Sequence, residues 1–313
     1  MKMIEKINSV FDDNKELIEK GYNDELTQEE FAELLANLLF GITEMTSQKL
    51  VYVQNFDEIK EKGPRKYAGR IDTMIEEGLI PQDVYESLKK MVPEGKHIGP
   101  VYLRVKGLLT HKTPREVFAK QLARKIDKEF IQKVGDKYHV CLPNMTGGAF
   151  IGDETRRELE NLYLEDEIIW PATPYARGMR KTISVKKEKE KLTDHIEGII
   201  PPPQEASSVI NFEELRTTSE TTQNTIRVLK RFGYNKENDV QLAAACVFDY
   251  RHPVGVERLK REGVTQIYLV NGKTFFEEAY KNGHLDKERY KVVKDWISDP
   301  WNWTRKVIEM IGE

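Results

Sequence analysis

Two adjacent carboxylates followed by a run of hydroxyls carry the most legible chemistry in this chain. Val209-Ile210-Asn211-Phe212 reads as the end of a largely apolar strand spanning Ser208 to Phe212, and Glu213-Glu214 follows it directly. Thr217, Thr218, Ser219, Thr221 and Thr222 come next, in an acidic and polar turn over residues 213–221 that opens a helix from about Thr222 to Phe232. Carboxylates at a strand end accept hydrogen bonds from vicinal hydroxyls or hold Mg²⁺ through water. A helix N-terminus presents backbone N–H groups to a phosphate. The combination suits a sugar phosphate. The competing reading is a plain turn with capping hydroxyls and two solvated glutamates.

Other segments could act with that turn. Thr146-Gly147-Gly148-Ala149 stands between a strand, Tyr138 to Pro143, and a helix, Ala149 to Tyr163. Arg177, Arg180, Lys181, Lys186, Lys187, Lys189 and Lys191 make a basic stretch that ends near His195. Such charge suits an anionic ligand, although Lys-Lys-Glu-Lys-Glu-Lys is equally a solvated face.

In these positions the sequence resembles the type I phosphoribosyltransferases, and among them the orotate phosphoribosyltransferases. Their donor signature is an apolar strand, two acidic residues and Thr-Thr-Gly-Gly-Ser/Thr, which Glu213, Glu214, Thr217, Thr218 and Thr221 resemble. Gly95-Lys96-His97-Ile98-Gly99-Pro100-Val101-Tyr102 is similar to their Ser-Gly-Lys-His-Ser-Pro-x-Tyr segment, with one residue inserted. Arg180-Lys181, then His195-Ile196-Glu197-Gly198, resemble the borders of their mobile catalytic loop. Phe248-Asp249-Tyr250-Arg251 resembles their Asp-Arg. Order and approximate spacing agree over about residues 66–271.

The resemblance implies transfer of ribose 5-phosphate from phosphoribosyl pyrophosphate to a nucleobase such as orotate, with donor-bound Mg²⁺, in pyrimidine nucleotide metabolism. It assigns Lys181 and His195 to catalysis. Glu213, Glu214, Thr217, Thr218, Ser219 and Thr221 would hold the ribose and its phosphate. Thr146, Gly147, Gly148 and Arg180 would hold pyrophosphate, and Tyr102 and Arg251 the base. No protein residue is expected to ligate the metal directly. A homodimer is implied as well.

The chain departs from that pattern in places. Ser219 and Glu220 stand where the family has two glycines, which let backbone N–H groups close on a phosphate. A carboxylate about 4 Å from a phosphate repels it by roughly 4 kcal/mol at an effective dielectric near 20. Glu220 is therefore a candidate occupant of the anion site. Pro93-Glu94 stands where the orotate enzymes have a base-contacting lysine, and His195 is followed by Ile196 rather than glycine. The alternative function is a catalytically inactive binding or regulatory protein of the same fold.

The elements that must position these residues alternate. Helix Pro114 to Val134, with Thr113 as its cap, precedes the strand at Tyr138, and strand Glu167 to Trp170 follows the next helix. Later come strand Val240 to Asp249, helix Val254 to Glu262 and strand Thr265 to Val270. Alternation of this kind predicts an α/β fold with a parallel sheet flanked by helices. Residues 1–64 read as a helical extension, with Thr27 and Glu30 as a capping box, and 275–313 as another, with Trp296, Trp301 and Trp303 packed on the core. The phosphoribosyltransferase-like domain would span 65–274. Inside it, helices are expected over about 66–77 and 82–91, a strand over 101–106, and a short strand precedes it at 50–56.

Bulk composition narrows the partners. The 313 residues carry 49 Lys plus Arg against 52 Asp plus Glu, a net charge of −3, which gives no electrostatic footprint for nucleic acid. No apolar run approaches the roughly 20 residues of a membrane helix. Met1 to Val10 has no signal-peptide core. Cys141 and Cys246 sit in strand-like runs and read as buried thiols, so the expected compartment is the cytoplasm. No Gly-x-Gly-x-x-Gly follows a strand, which argues against a dinucleotide enzyme.

Overall fold

The computed structural model describes residues 3–46, 48–135, 137–144, 147–164, 175–177, 179–184, 192–197 and 200–312. Three helices begin the chain: α1 (Met3–Asp13), α2 (Lys15–Asn23) and α3 (Gln28–Met45). The Thr27 hydroxyl accepts the Glu30 N–H and the Glu30 carboxylate accepts the Thr27 N–H, so α3 opens on the expected capping box. Phe31, Leu34, Leu35, Leu38 and Leu39 are all buried, as their helical spacing predicts.

The next elements are β1 (Val51–Val53), α4 (Phe56–Lys62), β2 (Arg65–Arg70), α5 (Ile71–Glu76), α6 (Gln82–Met91), β3 (Lys96–Gly99) and β4 (Val101–Leu103). β1 pairs antiparallel with β4, and β2 with β3. The helix expected over 66–77 is thus half strand. Pairing with β3 gives Arg65, Lys66 and Arg70 ladder partners, with an irregularity between Lys66 and Arg70, and this tertiary contact overrides a weak local preference. The strands expected over 50–56 and 101–106 shrink to the three-residue β1 and β4.

Next come α7 (Val105–Leu108) and α8 (Lys112–Glu129). α8 starts earlier than its sequence suggests: His111 is the cap, without a side-chain bond, and Thr113 lies inside the helix. Pro114 is then the third helical residue, where its missing N–H costs nothing because first-turn N–H groups have no intrahelical acceptor.

The sheet follows. Its parts are β5 (Tyr138–Pro143), α9 (Gly147–Leu164), β6 (Tyr175–Arg177), β7 (Met179–Ser184), β8 (Leu192–Glu197), β9 (Ala206–Arg216), α10 (Glu220–Arg231), β10 (Gln241–Asp249), α11 (Pro253–Arg261) and β11 (Thr265–Asn271). Five strands lie in the order β11-β10-β9-β5-β6, every neighbouring pair parallel. β7 and β8 form a separate antiparallel pair. The strand expected at 167–170 and the lysines at 186–191 lie outside the described residues.

β9 is longer than its sequence suggests. β10 runs beside it to its last residue, pairing Cys246 with Glu213, Phe248 with Leu215 and Asp249 with Arg216. The ladder therefore carries residues 213–216 as strand rather than turn.

The C-terminal helices α12 (Gly272–Lys281), α13 (Lys287–Ser298) and α14 (Pro300–Gly312) return across the core. Trp296 and Trp303 are buried, and Trp301 packs at the margin. One continuous apolar cluster runs from Ile7 through Phe248 to Val307, so the terminal helices share a core with the sheet. Phe275 joins them, stacked on Phe40 of α3 and edge-on to Phe248 of β10. Cys141 and Cys246 are free and buried, and burial pushes the Cys141 thiol up to about 12. Among the described residues, no helix is long and apolar enough to cross a membrane.

Candidate functional site

Parallel sheets bind ligands beyond the carboxyl ends of their strands, and a cavity of about 390 Å³ opens there, past β9. Gly69 and Arg70 form one wall; Glu213, Leu215, Arg216 and the stretch Thr217 to Thr222, with Asn224, form the other. Residues consecutive in a strand point to opposite faces. The two predicted carboxylates are thereby separated.

Glu213 faces the cavity. The Asn144 side chain donates to its Oε1 at 2.6 Å, and Asn144 in turn exchanges amide hydrogen bonds with Asn211, both at 3.1 Å. Thr225 of α10 donates to Asn144 Oδ1 at 2.9 Å, and Asn211 donates to the Leu142 carbonyl at 2.9 Å. Buried amides whose bonds are satisfied hold their neighbours in one geometry. The carboxylate is thus oriented by residues from two strands and a helix.

Glu214 lies on the other face, against the start of α9. A Cβ built on Gly147 would fall 1.6 Å from its Oε2. A Cβ on Gly148 would fall 2.1 Å from the Phe212 carbonyl oxygen. These two glycines let α9 approach β9 closely, which is the physical requirement behind the Gly-Gly pair. Burial raises the Glu214 carboxyl above its usual range, with Lys106 partly offsetting it. Thr146 lies outside the described residues.

The hydroxyl loop is fixed from beneath. Ser219 adopts the left-handed conformation at φ 56° and precedes α10 without a side-chain capping bond. Arg258 of α11, 1% exposed, donates to the Thr218 carbonyl at 2.9 Å, to Thr73 Oγ1 at 3.0 Å and to Glu77 Oε2 at 2.6 Å. Arg216 is buried too. Its Nε and Nη2 donate to Asp249 Oδ2 at 3.1 and 2.6 Å, and its Nη1 to the Ala244 carbonyl at 2.9 Å.

Across the cavity, the Arg70 N–H donates to Glu220 Oε2 at 3.1 Å. The Arg70 guanidinium donates to Asp72 Oδ2 at 2.6 Å, and Lys89 donates to Asp72 Oδ1 at 2.7 Å. Lys89 and Arg70 together hold the Asp72 carboxyl below its ordinary value.

The other predicted residues are placed elsewhere. Tyr102 is on β4, exposed, with the Arg65 guanidinium 5.5 Å from its ring centre. Arg251 is left-handed at φ 56°; it donates to Gln266 Oε1 at 3.0 Å and lies 5.2 Å over the Tyr268 ring. Neither lines the cavity. Arg180, Lys181 and His195 are in the β7–β8 pair, where Lys181 and His195 are directly opposed across the ladder. The structure thus brings Glu213, Thr217, Thr218, Ser219 and Thr221 into one cavity.

Asn144, Arg216, Arg258 and Arg70 were not singled out from sequence. Arg216 had a readable signal: an arginine ending a parallel strand whose neighbour ends in Asp249, a charge pair the sheet register makes adjacent. Arg258 had none, because its partners Glu77 and Thr73 lie far away in the chain.

Two curated proteins match part of the chain. One, from Phocaeicola vulgatus, is 26% identical over 112 residues, covering 36% of this chain and 49% of its own. The other, from Lactobacillus johnsonii, is 24% identical over 102 residues, covering 33% and 46%. Both are named orotate phosphoribosyltransferase. The chain is thus similar in sequence, at low identity, to two orotate phosphoribosyltransferases. It spans about half the length of each curated relative it matches. No protein-family model matches it. The crystal structure of orotate phosphoribosyltransferase from Francisella tularensis is similar over 66% of this chain and 89% of that one, at 13% identity and a TM-score of 0.45. In the cavity, Ser219 is left-handed and the Glu220 carboxylate accepts the Arg70 N–H.

Proposed function

We propose that the chain is a phosphoribosyltransferase of the orotate type, acting on phosphoribosyl pyrophosphate and orotate or a related base. The observation that supports this best is the cavity that joins an oriented carboxylate, Glu213, to the hydroxyl loop Thr217–Thr222 at the end of a parallel strand. In the proposed reaction the bond from ribose C1 to pyrophosphate breaks, its electron pair leaving with pyrophosphate. A ring nitrogen forms the new bond to C1, and its proton passes to the departing pyrophosphate or to solvent.

Each residue has a role on that reading. Glu213 accepts hydrogen bonds from the ribose hydroxyls, and the asparagine pair keeps it pointed at them. Thr217, Thr218, Ser219 and Thr221 take the 5-phosphate at the start of α10, where the helix dipole favours an anion. Gly147 and Gly148, with Thr146 and Arg180, take the pyrophosphate. Lys181 and His195, opposed on β7 and β8, stabilise its departure. Tyr102 and Arg251 are the proposed base contacts, on a homodimer in the cytoplasm.

On this reading Mg²⁺ enters as an ion carried by the substrate. Among the described residues, no group of three or more His, Cys, Asp or Glu could hold a metal. One oriented carboxylate among hydroxyls suits Mg²⁺ that keeps most of its waters. When bound it neutralises charge on the pyrophosphate; Glu213 is the residue that would reach it, through water.

One observation favours a second reading, a non-catalytic member of the same fold. Glu220 places a carboxylate on the wall where the phosphate would enter. The two readings are separated by incubating the purified protein with phosphoribosyl pyrophosphate, orotate and Mg²⁺ and measuring pyrophosphate release. Base-dependent release with formation of the nucleotide supports the enzyme. Absence of turnover with orotate, uracil, adenine and guanine favours the binding protein.

A further inference from the structure

The charges around the cavity are not balanced in favour of a phosphate. Two carboxylates line it, Glu213 and Glu220. Its two cationic lining residues are both committed elsewhere: Arg70 to Asp72 at 2.6 Å, and Arg216 to Asp249 at 2.6 Å. Among the described lining residues, none is a cation without a carboxylate partner. The remaining polar groups are hydroxyls, the Asn224 side chain and backbone amides such as those of the 217–222 stretch, which are neutral.

Glu220 is also held in place. It is the first residue of α10, where a carboxylate is favoured by the helix dipole. Its Oε2 accepts the Arg70 N–H at 3.1 Å across the cavity mouth, so one side chain ties the β2–α5 corner to the hydroxyl loop. The donor is a backbone amide, so the Glu220 side chain is the one side chain on which the contact depends.

We propose that Glu220 is the specificity-determining residue of this cavity: an internal anion that a ligand's phosphate must displace or tolerate, so that the native hydroxyl loop holds a phosphate more weakly than it would with a neutral residue at position 220. The inference rests on the reading of the cavity as a phosphate-ended sugar site. It does not require turnover. Glu220→Gln removes the charge and keeps an oxygen that can accept the Arg70 N–H, so the fold is preserved. Glu220→Asp keeps the charge and shortens the arm.

The test is calorimetric titration of the native protein and both variants with inorganic phosphate and with ribose 5-phosphate. Glu220→Gln is expected to bind both about tenfold more tightly than the native protein, or to bind measurably where the native protein does not. Glu220→Asp is expected to stay within about threefold of native, which separates charge from shape. Thermal midpoints of all three proteins establish that the variants are folded. Equal or weaker phosphate binding by Glu220→Gln would overturn the inference. That outcome is distinct from failure of the phosphoribosyltransferase reading, which is read from pyrophosphate release: phosphate could bind Glu220→Gln tightly in a protein that never turns over.

Discussion

Arg216 at the end of β9 and Asp249 at the end of β10 form an ion pair 2.6 Å long, with side chains only 2% and 3% exposed. The pair sits directly behind the hydroxyl loop, since Thr217 follows Arg216 and the Tyr250 N–H donates to the Arg216 carbonyl at 3.0 Å. A buried charge whose partner is removed loses its compensation. Arg216→Met is expected to destabilise the protein by about 3–5 kcal/mol, read as a loss of midpoint in urea denaturation. The double variant Arg216→Met, Asp249→Asn should recover part of that loss, because no buried charge is left unpaired.

Glu214 gives a pH-dependent outcome. Burial raises its folded carboxyl pKa, so folding favours the protonated form. The associated stability is present at low pH, below the unfolded pKa, and is lost as pH rises through the folded value. Glu214→Gln, neutral throughout, is therefore expected to have a higher thermal midpoint than the native protein at pH 7. The gain should shrink as the pH is lowered toward 4. A gain that grew on acidification would mean that Glu214 is stabilised as the anion.

Gly148 tests the approach of α9 to β9. Its missing Cβ would stand 2.1 Å from the Phe212 carbonyl oxygen, and backbone cannot rotate aside as a side-chain tip can. Gly148→Ala is expected to cost about 1–3 kcal/mol as an overpacked contact. It should also weaken any ligand whose anion lies at the start of α9, because the helix must retreat. Denaturation midpoint and ligand titration on the same sample measure both.

Much of the architecture was readable from the chain. β5 has the bounds its apolar run predicts, and α6 those predicted after Pro81. The Thr27 capping box formed because its two reciprocal bonds are local, within three residues. Features decided by distant partners were not readable. The pairing of β2 with β3, the extension of β9 along β10, and the grip of Arg258 on the Thr218 carbonyl all depend on contacts remote in sequence. The same limit applies at the site. The adjacency of Glu213 and Glu214 in sequence suggests a shared ligand, yet a strand sends them to opposite faces. The hydroxyls gathered where the turn placed them, whereas Tyr102 and Arg251 are engaged with Arg65 and with Gln266 and Tyr268.

The central claim, a ribosyl donor bound at the end of β9, is tested most directly by calorimetric titration of the native protein and Glu213→Gln with phosphoribosyl pyrophosphate, with and without Mg²⁺. The account predicts Mg²⁺-dependent binding to the native protein that weakens at least about tenfold, or roughly 1.4 kcal/mol, in Glu213→Gln. Binding that is indifferent to Glu213, or no binding by the native protein at millimolar donor, would contradict it.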